Sequence, residues 1–123
     1  MSDVPQQPDN LLPLTPAVFH ILLALADGEK HGYGIMQEVI EITNGKIRMG
    51  PGTLYGTIKR MLEVGVIEET AERSDLLLAD QQVQRRRYYR LTNLGNRVAR
   101  AETRRLSTLL NIAHAKKVIG AAL

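Results

Sequence analysis

The stretch MGPGTLYGTIKRMLEVGVIEE, from Met49 to Glu69, decides which fold this chain is expected to adopt. A glycine-rich turn is followed by apolar residues at the spacing of one helix face, namely Leu54, Ile58, Met61 and Leu62. Pro51 suits the first turn of a helix, because that turn needs no N–H from this position. Gly65 predicts the end of the helix, because glycine readily adopts the left-handed backbone that closes many helices.

The glycines of this stretch do not form a nucleotide-binding loop. Gly50, Gly52 and Gly56 give the spacing G-x-G-x-x-x-G, and no lysine followed by Ser or Thr completes a phosphate loop. A tight turn that sets one helix at an angle to the previous one explains them better. This is the helix-turn-helix arrangement, in which the second helix offers its N-terminal residues to the major groove of DNA.

Two helices are predicted before this stretch. Thr15 and Pro16 form a start signal for the first helix, and Gly28 predicts its end. The segment HGYGIMQEVIEIT predicts the second helix, whose inward residues would be Ile35, Val39 and Ile42.

Strands and a final helix are predicted after it. VIEET and QRRRYYRLT each have the composition and alternation of a strand, with residues 72–84 between them as a long hairpin loop. Tyr89 alternates with Leu91 and is expected in the core. Thr92 would cap a last helix that runs towards Ile119, with Gly95 weakening its first turn.

The predicted fold is mostly α with a small β-hairpin: a winged helix-turn-helix plus a C-terminal dimerisation helix. We expect a mobile N-terminal segment over residues 1–13, a DNA-binding domain over 14–92 and the dimerisation helix over 93–123. Dimerisation is expected because an isolated amphipathic helix needs a partner for its apolar strip, which consists of Leu106, Leu109, Leu110 and Ala113.

Composition excludes several classes of protein. Cysteine is absent, so disulfides and thiolate metal sites are excluded. The polar N-terminus predicts no signal peptide, and the apolar stretch at residues 18–26 is too short to cross a bilayer. We therefore expect a cytoplasmic protein without a membrane partner. No catalytic motif is present, so the sequence predicts neither an enzyme nor a cofactor.

The charges are unevenly distributed along the chain. Residues 46–60 hold four basic residues and no acid, residues 61–84 hold six acids and Arg73, and residues 85–123 hold ten basic residues and Glu102. Two basic blocks around an acidic one indicate a surface that faces a polyanion. A solvated helix face without a partner explains the same pattern, and charge alone does not separate the two.

The residues expected to contact DNA lie on the outward face of the third helix, at the start of the second and in the wing. They are Tyr33, Gly52, Thr53, Tyr55, Lys59, Arg85, Arg86 and Arg87. Each has a structural alternative: Tyr55 as a scaffold ring, Tyr33 as a packing residue and the arginines as a solvated strand end. His31 is expected to satisfy a local backbone group, and His20 and His114 lack partners at ligand spacing, so no metal site is predicted.

Three linked motifs carry a resemblance to a known family. HGYGI, GTLYGTIKRMLEVGVIEE and RRRYYRLTNLG resemble the PadR family of winged-helix transcriptional regulators, in the same order and spacing from Leu14 to about Gly95. The resemblance implies a homodimer joined through the C-terminal helix, repression of target promoters and, in some members, relief by a small ligand. The short C-terminal helix is similar to a compact subgroup, and Gly56 stands where the family often has proline.

The expected function is therefore sequence-specific binding of double-stranded DNA, as a repressor that acts as a homodimer on an inverted-repeat operator. An alternative is a protein-interaction module that binds an acidic partner and uses the leucines Leu76–Leu78. A third is a sensor of an unidentified small molecule, although the last helix has no aromatic ring on which a flat ligand could stack.

Overall fold

The chain is described as a computed structural model over residues 7–70, 73–77 and 82–120, with backbone alone in the strands at 73–77 and 82–86. Within these ranges it has four α-helices, a three-stranded antiparallel sheet and a two-stranded ribbon, which confirms the predicted fold class. A 3-10 turn at Pro8–Leu11 precedes the main elements. These are α1 (Pro16–Ala24), β1 (Lys30–His31), α2 (Gly32–Ile42), α3 (Pro51–Val64), β2 (Ile67–Glu69), β3 (Arg73–Leu77), β4 (Gln82–Arg86), β5 (Tyr88–Leu91) and α4 (Asn93–Ala115).

Three helix ends follow the predicted caps, whereas α1 ends at Ala24, four residues before the predicted Gly28. Thr15 Oγ1 accepts the Val18 N–H at 3.3 Å, and Thr92 Oγ1 accepts the Gly95 N–H at 3.0 Å. Gly65 closes α3 with a φ of 94°, in the left-handed region. The last helix is shorter than predicted and ends at Ala115, because Lys117 adopts a left-handed φ of 61°.

The core lies between the inner faces of the four helices and the three-stranded sheet. Its buried members include Ile21, Leu22, Ile35, Val39, Leu54, Ile58, Met61, Ile67, Tyr89 and Val98. The periodicity predicts Ile42 inward, but it is 42 % exposed, because it lies in the last turn of α2 beyond the core. Thr57 lies outside the predicted apolar face of α3 but is buried, and its hydroxyl donates to the Thr53 carbonyl at 2.9 Å.

The three-stranded sheet has β5 at its centre. β1 pairs with β5 through Lys30 opposite Tyr89, and β2 pairs with it through Ile67 opposite Leu91, both antiparallel. β1 has two residues and was not predicted, because so short a strand has no periodicity to detect. Tyr89 is 3 % exposed, as expected of a core residue.

The predicted long loop at residues 72–84 is wrong. Most of it forms β3 and β4, an antiparallel ribbon in which Arg73 pairs with Arg86 and Leu77 with Gln82. The single strand expected over QRRRYYRLT is divided at Arg87 between this ribbon and the three-stranded sheet. The role expected for Leu76–Leu78 stays a prediction, because these side chains lie outside the described residues.

The segment before α1 is attached to α4. The 3-10 turn packs against α4, and Leu11 and Leu12 cover the edge of the core. The Leu14 N–H donates to Glu102 Oε2 at 3.1 Å, and Glu102 is only 2 % exposed. Arg105 donates to both carboxylate oxygens, at 2.6 and 3.0 Å. Hydrogen bonding to Arg105 holds the pKa of Glu102 below its ordinary value. Burial raises this pKa, and the hydrogen bond from the Leu14 N–H lowers it. The boundaries at residues 13 and 92 remain predictions.

The end of α3 is bonded to the start of α4. The Thr92 N–H donates to the Val66 carbonyl at 3.1 Å, and the Thr92 hydroxyl donates to the Gly65 carbonyl. Gly95 lies directly against Val66, so close that a Cβ at this position would overlap the Val66 carbonyl oxygen and lie 2.9 Å from its carbon. Gly95 is therefore required for a close backbone approach, a role that its helix propensity does not reveal.

We expect Gly95→Ala to lower the free energy of unfolding by about 1–3 kcal/mol, because the new methyl group meets backbone that cannot move aside. Urea unfolding monitored by circular dichroism measures this. Gly56→Ala is the matched control: a Cβ there meets nothing closer than 3.9 Å, so it should stabilise α3 by roughly 0.5–1 kcal/mol. Equal effects of the two substitutions would contradict the close approach at Gly95.

Candidate nucleic-acid interface

The outward face of α3 is open along its N-terminal half. Gly52, Thr53, Tyr55 and Lys59 are all exposed there. Gly50 is the N-cap, and no side chain caps the first turn. The start of this helix therefore combines a positive dipole end with unshielded backbone, which is a favourable place for an anion.

Tyr55 lies across the start of α2. A Cβ at Gly32 would be 2.6 Å from Tyr55 Cζ and 2.9 Å from Cε1, so the ring rests on the bare backbone of Gly32. Tyr55 is nevertheless 48 % exposed. The two alternatives for this residue are thus compatible: one part of the ring packs on α2, and the rest faces solvent.

His31 organises the first turn of α2. Its Nδ1 accepts the Gly34 N–H at 3.1 Å as the N-cap, which confirms the expectation that it satisfies a local backbone group. Its ring stacks near Tyr33, with centroids 6.4 Å apart, and meets the Tyr88 ring edge-on at 5.4 Å. Tyr33 is 59 % exposed, and its hydroxyl accepts a hydrogen bond from Gln37 Nε2 at 2.9 Å. That hydroxyl retains its proton for a further acceptor.

Strand pairing brings several of the predicted residues together. His31 in β1 lies opposite Tyr88 in β5, and Arg87 immediately precedes Tyr88. Tyr33, Tyr55 and Arg87 therefore belong to one region, where α2, α3 and the base of the wing meet. Arg85 and Arg86 belong instead to the ribbon, opposite Ser74 and Arg73, and their side chains are outside the described residues.

The charges at the base of the wing are only weakly neutralised. Arg87 Nε lies 3.5 Å from Glu69 Oε2, and Arg90 Nε lies 2.7 Å from Glu68 Oε2. Both arginine side chains are more than half exposed, so each pair contributes little and a phosphate can compete with the carboxylate. Lys59 makes no ion pair with any other residue in the described ranges.

The sequence did not predict three features of this region. They are the packing of the Tyr55 ring on Gly32, the strand β1 and the ion pair of Arg87 with Glu69. The first had a signal, since two glycines flank Tyr33 in HGYG and a glycine inside a helix start can mark a close approach. The other two depend on tertiary pairing and had none.

The predicted dimer strip lies on the far half of α4. Leu106, Leu109 and Leu110 are 39 %, 50 % and 43 % exposed, and Ala113 is half-buried. Among the described residues, no group of three His, Asp or Glu side chains is arranged to hold a metal ion. None of the helices in the described part of the chain has the length and apolar character that a bilayer span requires.

Comparison with known proteins agrees with this geometry. The sequence profile of the Transcriptional regulator PadR-like family matches residues 21–101. The chain is 34 % identical over 104 residues to the transcriptional regulator Rv3488 of Mycobacterium tuberculosis, covering 82 % of this chain and 80 % of that protein.

Solved structures share the fold. A PadR family transcription regulator from Clostridium difficile superimposes with a TM-score of 0.67 at 22 % identity, over 80 % of this chain and 95 % of that one. Bacillus subtilis PadR, solved in complex with operator DNA, gives 0.54 at 21 % identity, over 68 % of this chain and 44 % of that one. Since the family profile spans well over half of the chain, this protein belongs to the transcriptional regulator PadR-like family.

Proposed function

We propose that this protein is a sequence-specific DNA-binding repressor that acts as a homodimer on an inverted-repeat operator. The observation that carries the proposal is the exposed N-terminal half of α3, with Tyr55 seated at the start of α2 and Arg87 at the base of the wing. A surface that offers small, aromatic and basic residues from three elements suits a duplex.

The start of α3 is suited to entering the major groove. A Cβ added at Gly52 would have no neighbour within 4 Å, so nothing in the fold itself requires glycine there, and its small size leaves room for DNA backbone. The first-turn N–H groups of Gly52 and Thr53 can face a phosphate, because no side chain caps them. Thr53, Tyr55 and Lys59 then have base edges within reach.

The wing has a different role in this proposal. Arg85 and Arg86 belong to β4 and Arg87 follows that strand, and in this proposal all three contact phosphates of the DNA backbone. Phosphate contacts set affinity for all DNA, whereas contacts to base edges set discrimination between sequences. Substitutions in the helix should therefore reduce binding to the operator selectively, whereas substitutions in the wing should reduce binding to all DNA.

We expect Tyr55→Ala to cost about 1–3 kcal/mol on the operator and much less on random DNA. Arg86→Ala combined with Arg87→Ala should weaken both DNAs alike and flatten the salt dependence by about one unit for each lost contact. A selection of bound sequences from a random pool provides the operator, and titrations at two salt concentrations measure both effects. Operator selectivity of the arginine pair, with no effect of Tyr55→Ala, would contradict this division of roles.

The packing of the Tyr55 ring on Gly32 can be tested without changing Tyr55 itself. Gly32→Ala should displace the ring, because the new Cβ takes its place, and should weaken operator binding by about tenfold, or roughly 1.4 kcal/mol. The measurement is operator affinity, with the ring resonances of Tyr55 as a direct report of its displacement. Gly34→Ala is the control, since a Cβ there meets no atom closer than 3.6 Å. A displaced ring with unchanged operator affinity would count against Tyr55 as a reading residue.

The dimer is supported by the apolar strip on α4, which the single chain leaves exposed. Burial of Leu106, Leu109 and Leu110 against a second copy would remove this surface from water. A two-fold dimer transfers its symmetry to DNA, so the half-site centres should lie about 10 bp apart or a multiple of that spacing. The selected sequences test this directly, because a single asymmetric site would contradict it.

We expect Leu109→Asp to weaken dimerisation at least about 100-fold, because it places an unpaired charge in an apolar contact. Analytical ultracentrifugation over a concentration series measures the dissociation constant. Asn111→Asp is the matched control, since it adds the same charge on the opposite, exposed side of α4. A Leu109→Asp protein that remains dimeric at low micromolar concentration would place the interface elsewhere.

A further inference from the structure

A small apolar cavity lies where the segment before α1, the end of α3 and the start of α4 meet, and we call it the junction cavity. It has a volume of about 200 Å³. Apolar side chains form most of its wall, namely Leu11, Leu14, Val18, Met61, Val66 and Val98. Among the described residues of this wall, none belongs to the apolar strip of α4 or to the candidate DNA contacts. The cavity is therefore distinct from both surfaces used in the proposed function.

Hydrogen bonds outside the cavity hold its walls in place. Thr92 bonds to the carbonyls of Gly65 and Val66, which fixes the end of α3 against the start of α4. The Leu14 N–H donates to Glu102, which fixes the segment before α1 against the same helix. These bonds oppose collapse of the walls onto each other. The cavity is thus largely preformed, which reduces the ordering cost of binding a small molecule.

A hydroxyl donor lies at the opening of the junction cavity. Thr15 is exposed and belongs to the wall. Its Oγ1 accepts the Val18 N–H at 3.3 Å as the cap of α1. This hydrogen bond uses a lone pair of the oxygen, so the hydroxyl proton remains available to an acceptor that enters the cavity.

A guanidinium group belongs to the same opening. Arg60 is exposed and is the one charged residue among the described residues of the wall. Its Nη2 donates to Thr57 Oγ1 at 3.3 Å, and no acidic side chain that the structure describes pairs with it, including Glu63 three residues later on α3. Because a guanidinium has five N–H donors, Arg60 can bind an anion while it keeps the bond to Thr57.

We propose that the junction cavity binds a small monocarboxylate with an apolar tail. The carboxylate would lie at the opening and accept hydrogen bonds from the Arg60 guanidinium and the Thr15 hydroxyl. The tail would cover the apolar wall between Val18, Met61 and Val98. This goes beyond the proposed DNA binding, because it assigns the protein a ligand and a second site.

The size and lining of the cavity select this class of ligand. Its volume of about 200 Å³ exceeds the roughly 150 Å³ of an engineered cavity that holds benzene, and is below the roughly 300 Å³ at which drug-sized pockets begin. Two polar side chains can satisfy one small polar group but not the many donors and acceptors of a nucleotide or a sugar. The described wall contains no carboxylate or imidazole, so it offers no ligands for a metal ion.

The probe is octanoate, added to the full chain in the absence of DNA and followed by isothermal titration calorimetry. We expect a dissociation constant between about 10 μM and 1 mM. Octylammonium has the same tail and the opposite charge, and should bind at least about tenfold more weakly. Butanoate has a shorter tail, and should also bind at least about tenfold more weakly. The methyl resonance of Met61 reports whether octanoate occupies this cavity.

Two exposed positions at the opening provide variants that leave the core unchanged. Arg60→Gln should weaken octanoate binding about tenfold by removing the charge that pairs with the carboxylate. Its matched control is Arg48→Gln, which removes the same charge from an exposed position outside the wall. Val64→Trp should weaken binding at least about tenfold by filling the opening. Its control is Ile42→Trp, because Ile42 is 42 % exposed, Val64 is 46 % exposed, and Ile42 is not part of the wall.

Both controls should bind octanoate within about twofold of the unmodified chain. The proposal is overturned if octanoate does not bind at about 1 mM, or if octylammonium binds equally well. Octanoate binding that survives both Arg60→Gln and Val64→Trp, or that leaves the Met61 methyl resonance unchanged, would place the ligand elsewhere and overturn it as well. Because these titrations contain no DNA, their failure would leave the proposed DNA binding standing.

Discussion

Two backbone carbonyls, those of Gly65 and Val66, determine how α3 is held against α4. Thr92 donates to both of them, through its hydroxyl and its N–H, and Gly95 lets α4 pass within contact of Val66. The same Thr92 hydroxyl accepts the Gly95 N–H, so one residue both caps the start of α4 and bonds to the backbone just after α3. Because these groups are bonded to each other, the direction of α3 is coupled to that of α4, and thus to any partner that α4 contacts.

The start of α2 is fixed in a comparable way at the other end of the site. The pairing of β1 with β5, the cap by His31 and the seat of Tyr55 on Gly32 join three elements around one turn. The candidate DNA-contacting residues on α2 and α3, together with Arg87 just before β5, therefore have fixed mutual positions. Such preorganisation reduces the ordering cost of binding, which is one reason that a small surface can discriminate between sequences.

Local signals in the sequence were sufficient for most of the fold. Thr15, Thr92 and Gly65 act through the chain immediately around them, and each marks a helix end as predicted. Where the outcome depends on a distant partner, prediction failed. The ribbon of β3 and β4 is defined by cross-strand pairing, and Thr57 is buried because the rest of the fold covers its side of α3. In the candidate site, the exposed face of α3 follows from periodicity, but the contact of Tyr55 with Gly32 needs the crossing of two helices.

The bond from Leu14 to Glu102 bears on how the molecule responds to acid. The ordinary pKa of a glutamate is 4.5, and the Arg105 hydrogen bond lowers it in Glu102. The carboxylate therefore stays ionised at pH values somewhat below 4.5. Its contribution to stability is therefore present at neutral pH and is lost only as the pH falls through the lowered pKa. The protection factor of the Leu14 amide, which corrects for the slower intrinsic exchange at low pH, should accordingly fall as the pH drops through the lowered pKa. Protonation of this carboxyl group would thus weaken one of the contacts that hold the N-terminal segment against α4, whereas the apolar packing of Leu11 and Leu12 does not depend on pH.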